Sequence, residues 1–180
     1  MTGSTGQNGD RRETLYRQAA MAHGGMIARL ASGYEADPAL REDLEQEIHL
    51  QLWRSLEVFE GQCSLATWTY RVAHNVSAAH VDKAVRSKRI ATLADLDEIE
   101  IADQRAGPEE RTDTALTLER LYSLIRRLRT LDRQVVLLYL EDLDAAGIAE
   151  ITGLTARAVA TRIHRIKALL AEAFVPEATA

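Results

Sequence analysis

Few side chains in this sequence could support a reaction: one cysteine, Cys63, and five histidines, of which His74 and His80 fall in the same stretch. A thiol and an imidazole suit nucleophilic catalysis. That chemistry also needs an acid to orient the base and donors for an oxyanion, and neither accompanies Cys63 and His74. His74 and His80 lack the three- or four-residue spacing that sets two ligands on one helical face, and no Cys/His cluster has zinc spacing. No glycine-rich phosphate loop is present. What remains is ionic chemistry, and the expectation is a chain with no catalytic residues, no metal and no cofactor.

The net charge of −5 conceals an alternation. Arg71, Lys83, Arg86, Lys88 and Arg89 stand against Asp82 alone, and Arg157, Arg162, Arg165 and Lys167 form a second basic patch. Carboxylates crowd elsewhere, first in Glu35, Asp37, Glu42, Asp43, Glu45 and Glu47, then in Asp95, Asp97, Glu98, Glu100, Asp103, Glu109, Glu110 and Asp113. Such a chain would bind DNA weakly alone and would gain from a basic protein partner. Cys63 cannot make an internal disulfide, the first ten residues lack the apolar core of a secretory signal, and no apolar run approaches the roughly 18 residues of a membrane span. A cytoplasmic protein without membrane insertion is expected.

The elements that would carry these patches are all helical. Residues 1–11, rich in Gly, Ser, Thr and Asn, read as a disordered tail. Leu15, Ala19, Ala22, Met26, Ile27, Leu30 and Tyr34 trace a first helix through Gly24 and Gly25, and Asp37-Pro38 opens a second whose apolar stripe is Leu40, Leu44, Ile48, Leu52, Trp53 and Leu56. Gly61 breaks the pattern, and Ser64 can cap a third helix over about 65–89, basic at its end. The acidic stretch 91–114 has a Gly107-Pro108 break and reads as a flexible linker. Beyond it, Asp132 can cap one helix, Asp144 can cap a short one that Gly153 ends, and Thr155 can cap a last one through Val159, Ile163, Ile166 and Leu170. Short helix, turn with glycine and basic helix is the helix-turn-helix pattern. The fold class expected is all-α: two small helical domains, 12–90 and 115–175, joined by the linker. Trp53 and Trp68 sit on apolar stripes and read as core.

The residues resemble a family. Glu42, Asp43, Leu44, Gln46, Glu47, Ile48, Leu50, Leu52 and Trp53 look like region 2 of bacterial RNA polymerase sigma factors of the extracytoplasmic-function group. The match continues in Arg54, Leu56, Phe59, Gly61, Thr67, Trp68, Tyr70, Arg71, Ala73 and Asn75. Leu128, Asp132, Arg133, Gln134, Val135, Ile148, Ala149, Glu150, Ile151, Gly153, Val159, Arg162 and Arg165 resemble region 4. The chain departs from the usual pattern at Arg129, Gly147, Ala158 and Ala160, and its region 2 arginine run is thinned.

The resemblance implies partners and site residues. Glu42, Asp43, Gln46, Glu47 and Gln51 would dock on the clamp helices of the polymerase's largest subunit. Gly61, Gln62, Cys63, Ser64, Thr67, Trp68, Arg71, His74, Asn75 and Lys83 would hold the melted non-template strand of the minus-ten element, and Thr155, Arg157, Ala158, Thr161, Arg162 and Arg165 would read the minus-thirty-five duplex. The flap of the second-largest subunit and an anti-sigma factor are further expected partners. The implied function is that of a sigma factor directing promoter-specific initiation. Two other classes fit the residues: a helix-turn-helix regulator that binds duplex DNA unaided, and a sigma-like decoy for an anti-sigma protein.

Overall fold

The computed structural model describes residues 4–94 and 113–174, with side chains over 9–86 and 113–173. The expected linker therefore lies largely outside the described residues, as do the side chains of Lys88 and Arg89. Among the described residues seven helices follow in order: α1 (Ser4–Tyr34), α2 (Pro38–Ser55), α3 (Leu65–Ala94), α4 (Asp113–Arg126), α5 (Thr130–Leu140), α6 (Ala145–Thr152) and α7 (Ala156–Phe174). A single 3-10 turn, Leu56–Val58, follows α2, and no strand occurs among the described residues. No described helix is long and apolar enough to cross a membrane.

Local chemistry starts most of these helices. Asp37 caps α2 by accepting the amides of Ala39 and Leu40, both at 2.9 Å, with Pro38 in the first turn where its missing donor costs nothing. Ser64 Oγ accepts the Thr67 amide at 3.0 Å and opens α3. Two starts differ from expectation. α1 begins at Ser4 rather than near residue 12, and its first turns have partners: Arg11 Nη2 donates to the Phe59 carbonyl at 3.0 Å, and Arg12 lies 4.5 Å over the Trp53 ring. α5 starts at Thr130, with Arg129 rather than Asp132 at the cap position.

α1, α2 and α3 form a bundle around Met26, Ile27, Leu30, Leu44, Ile48 and Ala73. The same apolar cluster continues into Tyr122, Ile125, Val135, Leu138, Ile148, Ile151, Val159 and Ile166 of the C-terminal helices. A smaller cluster of Ala19, Leu52, Leu56 and Phe59 closes the other end of the bundle, with Trp68 packed against it. The two halves thus share a core, because α1 presents its C-terminal apolar face to α3 on one side and to α4 and α5 on the other. Polar contacts fasten the seam. Arg29 Nε and Nη2 each donate to Glu141 at 2.6 Å, Arg126 Nη1 donates to the Ser32 carbonyl at 2.7 Å, and Arg71 Nη2 to the Glu150 carbonyl at 2.5 Å.

Gly33 sets how closely α1 and α5 approach: a Cβ there would lie 2.6 Å and 2.7 Å from the two methyls of Leu137, itself buried. Gly24, on the same helix, has nothing within 4 Å of that position. Opposite signs are expected from two substitutions. Gly24→Ala should raise the free energy of unfolding by about 0.5–1 kcal/mol through helix propensity. Gly33→Val should lower it by about 1–3 kcal/mol through overpacking. Urea unfolding of both variants checks this, and equal effects would refute the close approach.

Candidate nucleic-acid interface

α2 turns its carboxylates outward. Glu42, Asp43, Gln46 and Glu47 are exposed while Leu44, Ile48 and Leu52 of the same helix are buried, as the helical spacing demands. Gln51 Nε2 donates to Glu47 Oε1 at 2.7 Å, which steadies both side chains one turn apart. This face is continuous with an open groove of about 1060 Å³ between α2 and α3. Asp43, Glu47 and Gln51 line one wall, Asn75, His80 and Lys83 the other, over an apolar floor that includes Leu44, Val72 and Val76. Residues assigned from sequence to protein docking and to strand binding therefore meet in a single groove.

The loop leading into α3 is held by its own bonds. Gly61 has φ +85°, the left-handed region open to glycine, and Gln62 ties the turn together by accepting the Glu60 amide at 3.0 Å and donating to the Val58 carbonyl at 3.1 Å. Gly61, Gln62 and Ser64 are exposed and Cys63 is partly so. Thr67 is buried, and Trp68 is partly buried against Phe59 with its indole N–H donating to Ser55 Oγ at 2.9 Å. Trp53, also half-buried, meets Tyr16 edge-on at 5.5 Å. Asn75 and Lys83 are exposed along α3. Arg71, in contrast, spends a nitrogen on the Glu150 carbonyl of α6.

His74 lies elsewhere than the sequence suggests. It is fully buried in the seam, its Nδ1 hydrogen-bonded to the Tyr34 hydroxyl at 3.2 Å, and its Nε2 has no partner among the described residues. It cannot touch a strand from there, because the turn of α3 that carries it faces α1. Burial lowers its pKa to about 3, so the ring is neutral. His80 is partly buried, and its Nε2 pairs with Glu35 Oε2 at 2.9 Å. Burial opposes the Glu35 charge, yet the His80 hydrogen bond and the amides of Asp37 and Ala36 outweigh it and hold the carboxyl below its usual range.

The C-terminal elements form the helix-turn-helix. Asp144 Oδ1 accepts the Gly147 amide at 2.8 Å to start α6, Gly153 ends it at φ +75°, and Thr155 Oγ1 accepts the Ala158 amide at 3.2 Å to start α7. Val159 and Ile166 are buried at the inner face of α7, while Thr155, Arg157, Thr161 and Arg165 are exposed and Ala158 and Arg162 partly so. All six residues expected to read duplex lie along the first three turns of this helix or at its cap. Two of them carry a partner that sequence reasoning missed. Arg162 Nη1 donates to Asp132 Oδ1 at 2.6 Å and Arg165 Nη2 to Asp132 Oδ2 at 2.7 Å. An aspartate near a helix start resembles a cap, and its true partners lie on another helix.

Comparisons with known proteins agree with this architecture. The family model described as "Sigma-70 region 2" matches residues 19–87, and "Sigma-70, region 4" matches 118–170. The chain is 24% identical over 167 residues to the RNA polymerase sigma factor CnrH of Cupriavidus metallidurans, covering 88% of this chain and 85% of that one. It is 27% identical over 99 residues to the ECF RNA polymerase sigma factor SigX of Bacillus subtilis, covering 54% and 50%. In fold it resembles CnrH solved with the cytosolic domain of CnrY, at TM-score 0.65 and 20% identity over 94% of this chain and 95% of that one. It also resembles the sigma factor RpoE solved with the anti-sigma factor NepR from Bartonella quintana, at TM-score 0.65 and 17% identity over 87% and 94%.

The buried His74 gives a pH dependence with a defined sign. Its folded pKa of about 3 lies below the ordinary 6.5, so below pH 6.5 the unfolded chain takes up a proton that the folded chain refuses. Stability should therefore fall as pH drops from 6.5 toward 3, with a slope from this group approaching about 1.4 kcal/mol per pH unit. Urea unfolding at pH 7 and pH 4.5 checks this: His74→Leu should lose less stability than the native chain across that interval, and parallel losses would refute it.

Proposed function

Because this chain belongs to the sigma-70 family, within the extracytoplasmic-function group, we propose that it binds core RNA polymerase and directs initiation at promoters that it helps to read and melt. The observation that carries this reading is the α2–α3 groove, where Asp43, Glu47 and Gln51 face Asn75 and Lys83. An acidic wall suits a basic protein surface, for which we assign the clamp helices of the polymerase's largest subunit. Complementary charge at such a contact raises the association rate and fixes register. With the polymerase on the α2 side, Asn75 and Lys83 lie beside the path of a DNA strand, and the exposed loop Gly61, Gln62 and Ser64 extends it. A melted strand needs cations for its backbone and surfaces for its bases, and the polymerase supplies what this modestly basic stretch lacks.

α7 carries the second contact. A major groove admits one helix, and the N-terminal turns of α7 present Arg157, Thr161 and Arg165 to it. We assign this helix to the minus-thirty-five duplex, with region 4 seated on the flap of the second-largest subunit. The residues proposed for the melted strand are Gly61, Gln62, Cys63, Ser64, Trp68, Arg71, Asn75 and Lys83. His74 and Thr67 are left out because both are buried. The roles are of binding and positioning, and none asks a side chain to break or form a covalent bond. An anti-sigma protein is the proposed regulator, supported by two similar folds, one a sigma factor solved with the cytosolic domain of CnrY and the other a sigma factor solved with the anti-sigma factor NepR.

Charge reversal tests the docking face. Asp43 and Glu47 are exposed, so Asp43→Lys with Glu47→Lys should leave the free energy of unfolding within about 0.5 kcal/mol of the native one. The same pair should weaken binding to core polymerase by at least about tenfold, since like charges are then brought together. Titration of labelled chain with purified core measures this, and unchanged affinity would remove α2 from the interface.

A further inference from the structure

We propose that Asp132 is a positioning residue for duplex reading: one carboxylate on α5 orients Arg162 and Arg165 of α7 and neutralises part of their charge, so that the helix discriminates between sequences instead of gripping any duplex. The inference rests on α7 lying in the major groove, and it adds a specificity determinant from outside the recognition helix.

The geometry carries it. Asp132 has a side chain only 9% exposed, and each of its oxygens takes a different arginine, Oδ1 from Arg162 and Oδ2 from Arg165. The two arginines are three positions apart and so share a face of α7. A carboxylate this enclosed is costly to leave unpaired, which keeps both bonds made. Each guanidinium carries five N–H donors in a rigid fork, and each spends one nitrogen on Asp132. The side chain of Arg165 remains 57% exposed and that of Arg162 32%, so unspent donors are available to a ligand at the surface. Bidentate reading of a base edge by arginine depends on the plane of that fork being fixed before contact.

Two arginines alone would place about two positive charges on this face, and with Asp132 the cluster carries about one. Phosphate attraction is independent of sequence and grows with each cation, whereas base reading depends on orientation. Asp132 therefore lowers the first and favours the second. The bland alternative is that Asp132 only fastens α7 to α5. Apolar contacts already do this, since Val159 and Ile166 of α7 belong to the same buried cluster as Val135 and Leu138 of α5. A fastener and a positioning residue also predict different signs.

The test uses the full chain assembled with core polymerase, with core alone as background. Two short duplexes are compared: an upstream element selected by that assembly from a randomised pool, and a mixed-sequence duplex of equal length. Asp132→Asn should bind the mixed duplex several-fold more tightly at low salt. Its slope of log affinity against log salt should steepen by about one, and its preference for the selected element should fall by about tenfold. Asp132→Glu keeps the charge and moves the carboxylate, so mixed-duplex binding should stay at the native level while preference falls less; it also decides the matter if Asp132→Asn fails to fold. Weakening of both duplexes alike, or unchanged preference, would overturn the proposal. Failure of the native assembly to prefer any duplex would instead overturn the assignment of α7 and the proposal with it.

Discussion

The contact on which the arrangement depends is the seam between α1 and the helices around it, centred on Tyr34. Its hydroxyl meets His74 of α3, and the Arg133 guanidinium of α5 lies 5.1 Å over its ring. Arg133 is itself buried and donates to the carbonyls of Arg126 and Leu128 where α4 ends. One aromatic side chain thus touches α3 and α5 at once, and the arginine behind it caps α4. Burial depresses the Arg133 pKa and raises that of Tyr34, and both groups keep their charge states at neutral pH because the shifts run away from it or start far above it. Next to this cluster, Gly33 lets α5 close to van der Waals distance of α1.

From that seam the functional surfaces follow. α1 supports α2 and α3 from behind, which leaves the carboxylates of α2 outward and opens the groove toward Asn75 and Lys83. On the other side, α5 supports α7 through shared apolar contacts and through Asp132. Every proposed ligand-binding side chain is therefore mounted on a helix whose opposite face is buried, or on the short loop bonded to itself by Gln62. Rigid mounting suits recognition by geometry, in which the cost of ordering is met when the chain folds.

Much of this could be read from the sequence, for a physical reason. Asp37, Ser64, Asp144, Gly153 and Thr155 act on backbone groups within three or four residues, so their types and positions suffice to locate helix ends. The exposed acidic face of α2 follows from periodicity in the same way. What escaped the sequence depends on residues distant along the chain. His74 sits among polar and cationic neighbours in sequence, and only the packing of α3 on α1 hides it beside Tyr34. Asp132 occupies a position suited to a cap, and only the crossing of α5 and α7 gives it two arginines. The polar first turns of α1 read as a tail until Phe59 and Trp53 supply partners for Arg11 and Arg12.

The role proposed for this chain is to confer promoter choice on a polymerase while doing little to DNA alone. Reconstituted transcription on a pool of random promoters tests it most directly. Transcripts are expected from a subset of templates sharing two spaced elements, formed only when chain and core polymerase are combined. Transcripts without a shared element, or tight sequence-specific duplex binding by the chain in the absence of core, would contradict it.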